Sequence, residues 1–417
     1  FTLGFEDPAG RTARWHADSL KNLAIKGGLA NEYTIVSNRV ASGDSQNNKL
    51  ITVSGSAVYP TTQWGKFYFY NLLDEIDVPG EYFIDNETKM LYFYPTTDDL
   101  ENADLFVSQH EDAMFKINGA AYITLQDLAF SYSKGTPVVV DASHVTLDGC
   151  TISHTGVHGA ALSGTDITVE NCHIFDIACD GINLSGSATN RETLASDNNK
   201  IVNNRIHSVS RVSQSNSYAV QVVNSSVGLE IKNNEIYDCR GIAIRLWKAN
   251  NTLIQDNEIY NALQYTSDNG AIYWGRDLTT LGNQVIHNYI HDLGNSYGGY
   301  GFQGVFVDDC GSGPYMADNI LYRCGSMGYK TNCGNYGHLE NNLFIDTEKA
   351  VWFQRVPQAR YLLYGMDKWK DASDQWGPWG YSEGKKYVQN ENWKEYYIDT
   401  QWAPFFTDFS IDLYNQI

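Results

Sequence analysis

Proline, positive charge and long apolar stretches are all scarce in this sequence of 417 residues. It holds no run of about 18 apolar residues, the length that indicates a membrane-spanning helix, so no membrane span is expected. Lys and Arg together number 29 against 49 Asp and Glu, which gives a formal net charge of −20. Because such a chain repels polyanions, we expect no nucleic-acid partner.

Cysteine is limited to 7 residues, none of them in a CxxC pair. This pattern predicts neither a complete disulfide framework nor a zinc ribbon, so most cysteines are expected to be small buried residues. The chain opens at Phe1 without a charged and then apolar leader, and we expect any secretion signal to have been removed. A secreted glycoprotein is also favoured by Asn-x-Ser/Thr sequons, although an Asn-rich chain produces them by chance; they lie at Asn86, Asn183, Asn224 and Asn250.

A short phrase recurs from residue 120 onward: an apolar residue, two or three polar residues, Asn or Cys, any residue, then Ile, Leu or Phe. Successive gaps of 23, 22, 32, 30, 23, 31, 31 and 23 residues indicate a basic coil of 22 or 23 residues, which is longer in some repeats. We expect the added residues to form loops on one flank. The Asn or Cys position falls at Cys150, Cys172, Asn204, Asn234, Asn257, Asn288, Asn319 and Asn342, and Asp127 is expected to begin the series.

Repeats of this length predict a solenoid. Their β-branched residues, Gly and Asn favour strands over helix pairs, so the predicted fold class is all-β, a right-handed parallel β-helix. The repeated Asn is expected to occupy a bend, where it bonds the backbone, tolerates left-handed geometry and stacks on its equivalents about 4.8 Å away. The predicted domains are an accessory β-rich segment at 1–118, the β-helix at 119–356 and an aromatic-rich cap or extension at 357–417.

The two flanking segments lack the phrase. Before it, GEYFIDNETKMLYFYP predicts a hairpin whose turn lies near Asp85 to Thr88. After it comes a stretch rich in Trp and Tyr, which we expect to cap the last coil, with a sugar platform as the alternative. Its tryptophans are Trp369, Trp376, Trp379, Trp393 and Trp402.

Each repeat ends in a strand, and the outward residues of these strands should share one face. In the middle of the stack this face concentrates charged and aromatic residues, although most coils present bland polar ones. The local cations suggest a ligand with negative charge or many hydroxyls, or else pairs that neutralise nearby Asp residues. The candidate substrate-binding residues are Gln221, Arg245, Trp247, Trp274, Arg276, Asp277, Lys330 and Arg355.

Three carboxyl groups are the candidate catalytic residues. Asp268 precedes the final strand of one repeat, while Asp308 and Asp309 end the equivalent strand of the next. Glycoside hydrolysis needs two carboxyl groups roughly 5 to 9.5 Å apart, and adjacent coils supply such distances. Asp also caps turns often, which is the alternative reading of each residue alone.

Other motifs give weaker evidence of function. GYGFQG precedes a strand and opens no helix, so it is not a dinucleotide loop. His154 and His158 could belong to the face that carries the candidate substrate-binding residues, but turn histidines with satisfied hydrogen bonds are commoner. No metal site is predicted; calcium at Asp256 or Asp346 is left open, although no dense carboxylate loop surrounds them.

The motifs DNGAIYWGRD, GNQVIHNYIHDLG and GVFVDDCGSG, with the hairpin and its lead-in, resemble family 141 of the glycoside hydrolases across residues 60 to 350. The resemblance implies α-L-fucosidase or xylanase-type activity on plant polysaccharides. It also implies that Asp268 and Asp309 are the acid pair, with Asp308 as the neighbouring candidate. Members usually begin with further coils, which we expect here from a preceding segment or another chain. LWKANNTLIQDN and KTNCG depart from the family, which has Gly pairs and a His/Glu pair at those places.

Three functions therefore compete. The leading hypothesis is a secreted hydrolase of a complex polysaccharide with no cofactor. The second is a structural extracellular glycoprotein or adhesin that keeps the scaffold without catalysis. The third is a calcium-assisted polysaccharide lyase with Lys330 as the base.

Overall fold

The computed structural model describes residues 2–6, 10–16, 19–28, 35–44, 49–53, 67–215, 217–275, 277, 279–294, 301–309, 311–332, 336–354 and 386–407. The chain divides into two compact units, Phe1–Val107 and Ser108–Ile417. The second unit begins before the boundary predicted at residue 118, because the strand Phe115–Asn118 already pairs in a parallel sheet.

The first unit is built on antiparallel strands. Its described sheet has the order β1–β4–β3–β2–β5, and a separate hairpin pairs β6 with β7. The predicted hairpin turn is confirmed, since the Asp85 carboxylate accepts hydrogen bonds from the Glu87 N–H and the Thr88 hydroxyl. Short 3-10 helices cover Arg11–Arg14, Ser19–Asn22 and Leu73–Glu75. The strands are β1 (Thr2–Glu6), β2 (Ala24–Gly27), β3 (Val36–Asp44), β4 (Lys49–Val53), β5 (Phe67–Tyr70), β6 (Tyr82–Ile84) and β7 (Leu91–Phe93).

The second unit is a parallel β-helix, as predicted. Each coil contributes one strand to each of three parallel sheets, here named A, B and C, which within the described residues hold 10, 9 and 9 strands. Sheet A contains β8 (Phe115–Asn118), β11 (Val138–Asp141), β14 (Ala160–Ser163), β17 (Ile182–Ser185), β20 (Tyr218–Asn224), β24 (Ile242–Arg245), β28 (Asn269–Gly275), β31 (Phe302–Asp308), β34 (Met327–Asn332) and β37 (Lys349–Gln354).

The other two sheets complete the coils around a core of Val, Ile and Leu. Sheet B contains β9 (Ile123–Gln126), β12 (Val145–Asp148), β15 (Ile167–Glu170), β18 (Lys200–Val202), β22 (Glu230–Lys232), β26 (Leu253–Gln255), β29 (Gln284–Ile286), β32 (Tyr315–Ala317) and β35 (His338–Glu340). Sheet C contains β10 (Ala129–Ser133), β13 (Thr151–Thr155), β16 (His173–Ile177), β19 (Arg205–His207), β23 (Glu235–Tyr237), β27 (Glu258–Tyr260), β30 (Tyr289–His291), β33 (Ile320–Tyr322) and β36 (Leu343–Ile345). A short pair, β21 (Ser226–Val227) and β25 (Ala249–Asn250), lies beside them.

The repeated asparagines form a hydrogen-bonded ladder between sheets B and C. Asn257 is typical: its Nδ2 donates to the Ile231 carbonyl at 2.9 Å and to Asn288 Oδ1 at 2.9 Å. The two cysteines of the series take the same place, since the thiol of Cys150 lies 3.3 Å from the Leu125 carbonyl. A buried amide ladder therefore satisfies backbone groups that the turn would leave unpaired. Its amide members are Asn204, Asn234, Asn257, Asn288, Asn319 and Asn342.

Two details of the predicted repeat are wrong. The left-handed geometry belongs to the residue before each ladder position, such as Asn233 (φ 56°) before Asn234. Asp127 (φ 54°) occupies that preceding position, the ladder position of its coil is the exposed Leu128, and the first ladder bond is made by Cys150. The ladder residue itself points inward to bond, and the bend is made by its neighbour.

The insertions also differ from the prediction, because they lie on both flanks of sheet A. Helix α1 (Ala188–Thr193) enters between sheets A and B, whereas residues 208–215 enter between sheets C and A. The corner between sheets B and C is only two residues long in the same coil, from Val202 to Arg205. Since the ladder fixes that corner, added residues are accommodated at the other two.

Described residues 386–407 pack against the side of the coils. They include α2 (Glu391–Tyr397) and α3 (Pro404–Thr407). The indole N–H of Trp393 donates to the Arg191 carbonyl at 2.9 Å, and that of Trp402 donates to the Gly313 carbonyl at 3.1 Å. Both rings are buried, so the sugar platform considered for them is wrong. Trp369, Trp376, Trp379 and the predicted boundary at 356 lie outside the described residues.

Candidate active site

A straight row of outward side chains crosses sheet A. The register places Gln221, Arg245, Tyr273, Phe306 and Lys330 opposite one another on successive strands. Adjacent strands lie about 4.8 Å apart, and side chains at equivalent positions share one face. Residues that are far apart in the sequence therefore meet along this row.

Asp268 lies at one edge of the row, immediately before β28. Its backbone is left-handed (φ 55°), and its N–H donates to the Gly301 carbonyl at 2.7 Å. The carboxylate forms an ion pair with Lys330, whose Nζ lies 3.1 Å from Oδ1. With 29% of its side chain exposed, Asp268 is open to a ligand.

Asp308 and Asp309 lie together at the end of β31, both buried. The Asn332 amide bridges them, with Nδ2 3.1 Å from Asp308 Oδ1 and 3.3 Å from Asp309 Oδ1. The Tyr273 hydroxyl donates to Asp308 Oδ2 at 2.9 Å, and the Asp309 N–H donates to Asp308 Oδ1 at 2.8 Å. Two neighbouring coils thus hold the pair in a fixed geometry.

Burial raises the pKa of Asp308 to about 7, with repulsion from Asp309 and then Asp268 as further causes. Hydrogen bonds from Asn332 and Tyr273 favour the ionised form and act against this rise in pKa. Because Asp268 contributes to the pKa of Asp308, the three carboxyl groups share one electrostatic environment. The site therefore combines a half-buried carboxylate, Asp268, with a carboxyl group, Asp308, that binds a proton near neutral pH.

Lys330 is positioned by aromatic rings as well as by Asp268. Its ammonium lies 4.2 Å from the Phe306 ring centroid, and Phe306 meets Tyr273 edge to face at 5.5 Å. Only 6% of Lys330 is exposed. This contact holds the cation against Asp268, which makes the ion pair part of a packed wall.

Gln221 and Arg245 extend the row on β20 and β24, the two strands of sheet A that precede β28. With its amide oriented to satisfy both neighbours, Gln221 donates to Asp180 Oδ2 at 2.7 Å and accepts from Arg245 Nη1 at 2.9 Å. The Arg245 guanidinium lies over Tyr218 at 5.2 Å and over Trp247 at 4.8 Å. These half-buried groups form a surface suited to hydroxyl or carboxylate groups of a ligand.

The predicted roles of Trp274 and Asp277 as substrate-binding residues are wrong. Trp274 points into the core with 0% exposure, and its indole N–H donates to the Ser312 carbonyl at 2.7 Å. Asp277 is 3% exposed and pairs with buried Arg191 at 3.4 Å. The prediction put Trp274 on the wrong face of its strand. Asp277 lies past the strand end, where it pairs with Arg191, a residue that contacts the segment 386–407. Arg276 and Arg355 lie outside the described residues.

Two contacting residues, Tyr273 and Asn332, were not predicted. Both follow from strand alternation: Tyr273 precedes an inward residue, and Asn332 lies two positions after Lys330. Counting alternate residues from Lys330 would have found Asn332, since Lys330 and Asn332 share a face.

The remaining motifs have structural partners. His158 lies 3.0 Å from the buried Asp180 carboxylate, and His154 lies 3.1 Å from Asp176. Asp256 is 3.7 Å from His287. No cluster of three or more His, Cys, Asp or Glu side chains that could hold a metal ion is found within the described residues.

Stacked coils that carry carboxyl groups at the ends of neighbouring strands of sheet A define a parallel β-helix protein with an acidic candidate site. Residues 101–227 and 194–353 match the model of the right-handed β-helix region, and together they span more than half of the chain. The chain belongs to the right-handed β-helix family.

Among solved structures, one described as a glycoside hydrolase has a TM-score of 0.64 and 14% identity, covering 84% of this chain and 71% of that one. The A-module of the Azotobacter vinelandii mannuronan C-5 epimerase AlgE4 has a TM-score of 0.43 and 13% identity over 56% and 62% of the two chains. PfbA, a surface adhesin of Streptococcus pneumoniae, gives 0.41 and 12% over 57% and 64%. At this identity the first likeness concerns the fold alone. By sequence, no curated protein matches the chain.

Proposed function

We propose that this protein is a glycoside hydrolase of a complex polysaccharide, similar to family 141. The observation that carries the proposal is that Asp268 lies close enough to raise the pKa of Asp308, which is bonded to Asp309 on the adjacent coil. One carboxyl group of this set, Asp308, has its pKa raised to about 7. An ionised carboxylate beside a protonated carboxyl group is the pairing that glycosidic cleavage requires.

In the proposed reaction, the Asp308–Asp309 pair supplies the proton to the glycosidic oxygen as the C–O bond breaks. The family resemblance implies Asp268 and Asp309 as the pair without assigning their roles, and Asp308 is the neighbour of Asp309 that holds a proton near neutral pH. Asp268 attacks the anomeric carbon or activates the water that does so. The net change adds one water across the bond: hydrogen to the leaving oxygen and hydroxyl to the anomeric carbon.

The substrate is proposed to lie along the outward row of sheet A. Gln221, Arg245 and Trp247 would bind sugar units away from the cleaved bond, and Lys330 would fix Asp268. A polysaccharide substrate places this activity outside the cell. Within the residues that the structure describes, no helix has the length and apolarity needed to cross a membrane.

Release of reducing sugar from a panel of plant and algal polysaccharides tests the proposal. Wild-type protein should cleave at least one of them, while Asp268→Asn and Asp309→Asn should each lose activity by about 100-fold or more. Lys349→Gln, a change at an exposed cation on β37, is the matched control and should keep full activity.

Two alternatives predict other outcomes from the same panel. Ultraviolet absorbance of unsaturated uronate products that requires Lys330 and calcium would identify a lyase. Silence on every substrate, with assembly visible by electron microscopy, would identify a structural glycoprotein or adhesin.

A further inference from the structure

The first unit contains a cavity that the proposed hydrolysis does not use. Its volume is about 980 Å³, and the described residues that line it lie between Arg11 and Asn86. Small-molecule sites usually occupy about 300 to 1,000 Å³. The cavity therefore has room for a ligand of several sugar units.

Aromatic side chains form one side of this cavity. Tyr68 and Tyr70 belong to β5, the edge strand of the sheet, and Tyr82 belongs to the hairpin. These rings are 49%, 39% and 62% exposed, respectively. Large exposed aromatic groups gathered at one place mark a binding surface more often than isolated ones do. A tyrosine ring offers an apolar face and a polar hydroxyl, a combination that suits a pyranose ring.

Amide groups held in place form another part of the lining. Asn71 Nδ2 donates to the Asn22 carbonyl at 2.9 Å, and Asn86 Nδ2 donates to Asn22 Oδ1 at 3.2 Å. Each side-chain amide has two N–H donors and two acceptor positions, so one such bond leaves capacity for a ligand. Their mutual contacts orient these groups before any ligand arrives.

The charge of the described lining residues disfavours acidic ligands. Among the described residues that line the cavity, Arg11 is the one cation, and it pairs with Glu75, whose carboxylate also accepts from Arg14. Partial burial alone would raise the pKa of Glu75, but hydrogen bonds from Arg11, Arg14 and Trp15 together outweigh it and lower the pKa to about 2. Asp77 and Glu81 add two further carboxylates. A uronate, sulfate or phosphate would meet net negative charge here.

We propose that this cavity binds a neutral oligosaccharide, with sugar rings stacked on Tyr68 and Tyr82 and hydroxyls bonded to Asn22 and Asn86. The ligand class follows from the lining, and it does not depend on hydrolysis by the second unit. The first unit thus carries a carbohydrate-binding site separate from the Asp268 site.

Affinity electrophoresis of the full chain in gels containing a polysaccharide tests this proposal. The Asp268→Asn protein serves as the parent, so that binding is read without cleavage. Neutral xyloglucan and arabinoxylan are the probes, with polygalacturonate as the acidic comparison. At least one neutral polymer should retard the parent, and polygalacturonate should not.

Tyr82→Ala should weaken this retardation about tenfold, because it removes one stacking ring. Asn86→Ala should weaken it in the same direction, as a second variant that leaves the aromatic wall intact. Tyr94→Ala is the matched control: Tyr94 is 43% exposed in the same unit but does not line the cavity, and its loss should change nothing.

Three results would overturn the proposal: no retardation by either neutral polymer, stronger retardation by polygalacturonate, or equal binding by Tyr82→Ala and the parent. Cleavage is read separately, as reducing-sugar release by protein with Asp268 intact. If the protein cleaves no polysaccharide but its binding depends on Tyr82, the hydrolase proposal fails and the proposal of a binding site in the first unit stands. If the protein cleaves a polysaccharide but its binding does not depend on Tyr82, the binding-site proposal fails and the hydrolase proposal stands.

Discussion

Asp308 and Asp309 are buried side by side at the end of one strand, an arrangement that costs free energy when both are ionised. Since Asp308 shares bonds with Tyr273 and Asn332, its protonation is tied to residues on both neighbouring strands. The proposed hydrolysis depends on the proton that this pair binds.

Asp308→Asn should change how stability depends on pH. The pKa of Asp308 is raised from 3.8 to about 7 in the folded state, so the folded protein binds more protons than the unfolded chain between these values. The contribution of Asp308 to stability is therefore fully present below pH 3.8 and is lost as pH rises through about 7.

Urea unfolding of both proteins at pH 5 and pH 8 measures this effect. The free energy of unfolding of wild type, relative to that of Asp308→Asn, should decrease from pH 5 to pH 8. A constant difference would show that Asp308 has an ordinary pKa.

Tyr273→Phe should shift the alkaline limb of the pH profile of kcat/KM to higher pH. The Tyr273 hydroxyl favours ionised Asp308, so its removal raises the pKa of Asp308 further. Tyr289→Phe, at a half-exposed residue of sheet C, is the control and should leave the profile unchanged. An unmoved limb in Tyr273→Phe would separate Asp308 from the rate-limiting proton transfer.

Residue type and spacing placed four candidates on one face, and in the structure Asp268 pairs with Lys330 while Asp309 bonds to Asp308 at the end of the next strand of sheet A. Side-chain direction did not follow so well. A one-residue error in phase exchanges Trp274 for Tyr273, because neighbouring residues of a strand point to opposite faces.

At the scale of strands and turns, the Asn ladder fixes the corner between sheets B and C. Asn257 is buried, donates to Ile231 and Asn288, and accepts from the Asn234 backbone and side chain. The period was readable from the sequence because each rung must satisfy the same backbone groups. The sequence did not reveal which corner takes the insertions, because the spacing gives the length of a coil but not the place of the added residues within it.

Asn257→Ala should lower the free energy of unfolding by about 2 to 3 kcal/mol, because it leaves buried polar groups on both sides without partners. Chemical denaturation measures this loss. Asn342→Ala, at the half-exposed last rung, is the comparison and should lose less. Equal losses at the two positions would contradict a cooperative ladder.

At the scale of the whole β-helix unit, the C-terminal segment is fastened to the coils by Arg191. This side chain is 1% exposed, pairs with Asp277, and lies under Tyr387 and Trp393 at 5.0 and 5.8 Å. The sequence showed aromatic richness here but not its partner, since Arg191 lies about 200 residues earlier, in an insertion.

Arg191→Ala should release residues 386–407 and cost about 3 to 5 kcal/mol, because it leaves the Asp277 charge buried. Limited proteolysis with mass spectrometry should show faster cleavage in this segment. Arg205→Ala, in an exposed pair with Glu235, should cost under about 1 kcal/mol and leave the cleavage pattern as in wild type. An unchanged pattern in Arg191→Ala would rule out this anchor.

A double-mutant cycle on Asp268 and Asp309, read as reducing-end formation on the polysaccharide that wild type cleaves, tests most directly whether the coils unite these acids in one reaction. Each single Asn variant should lose about 100-fold or more, and the double variant should lose little beyond the worse single one, since groups that act as a unit are not additive. Single variants with wild-type rates, or losses that multiply in the double variant, would contradict a shared catalytic site.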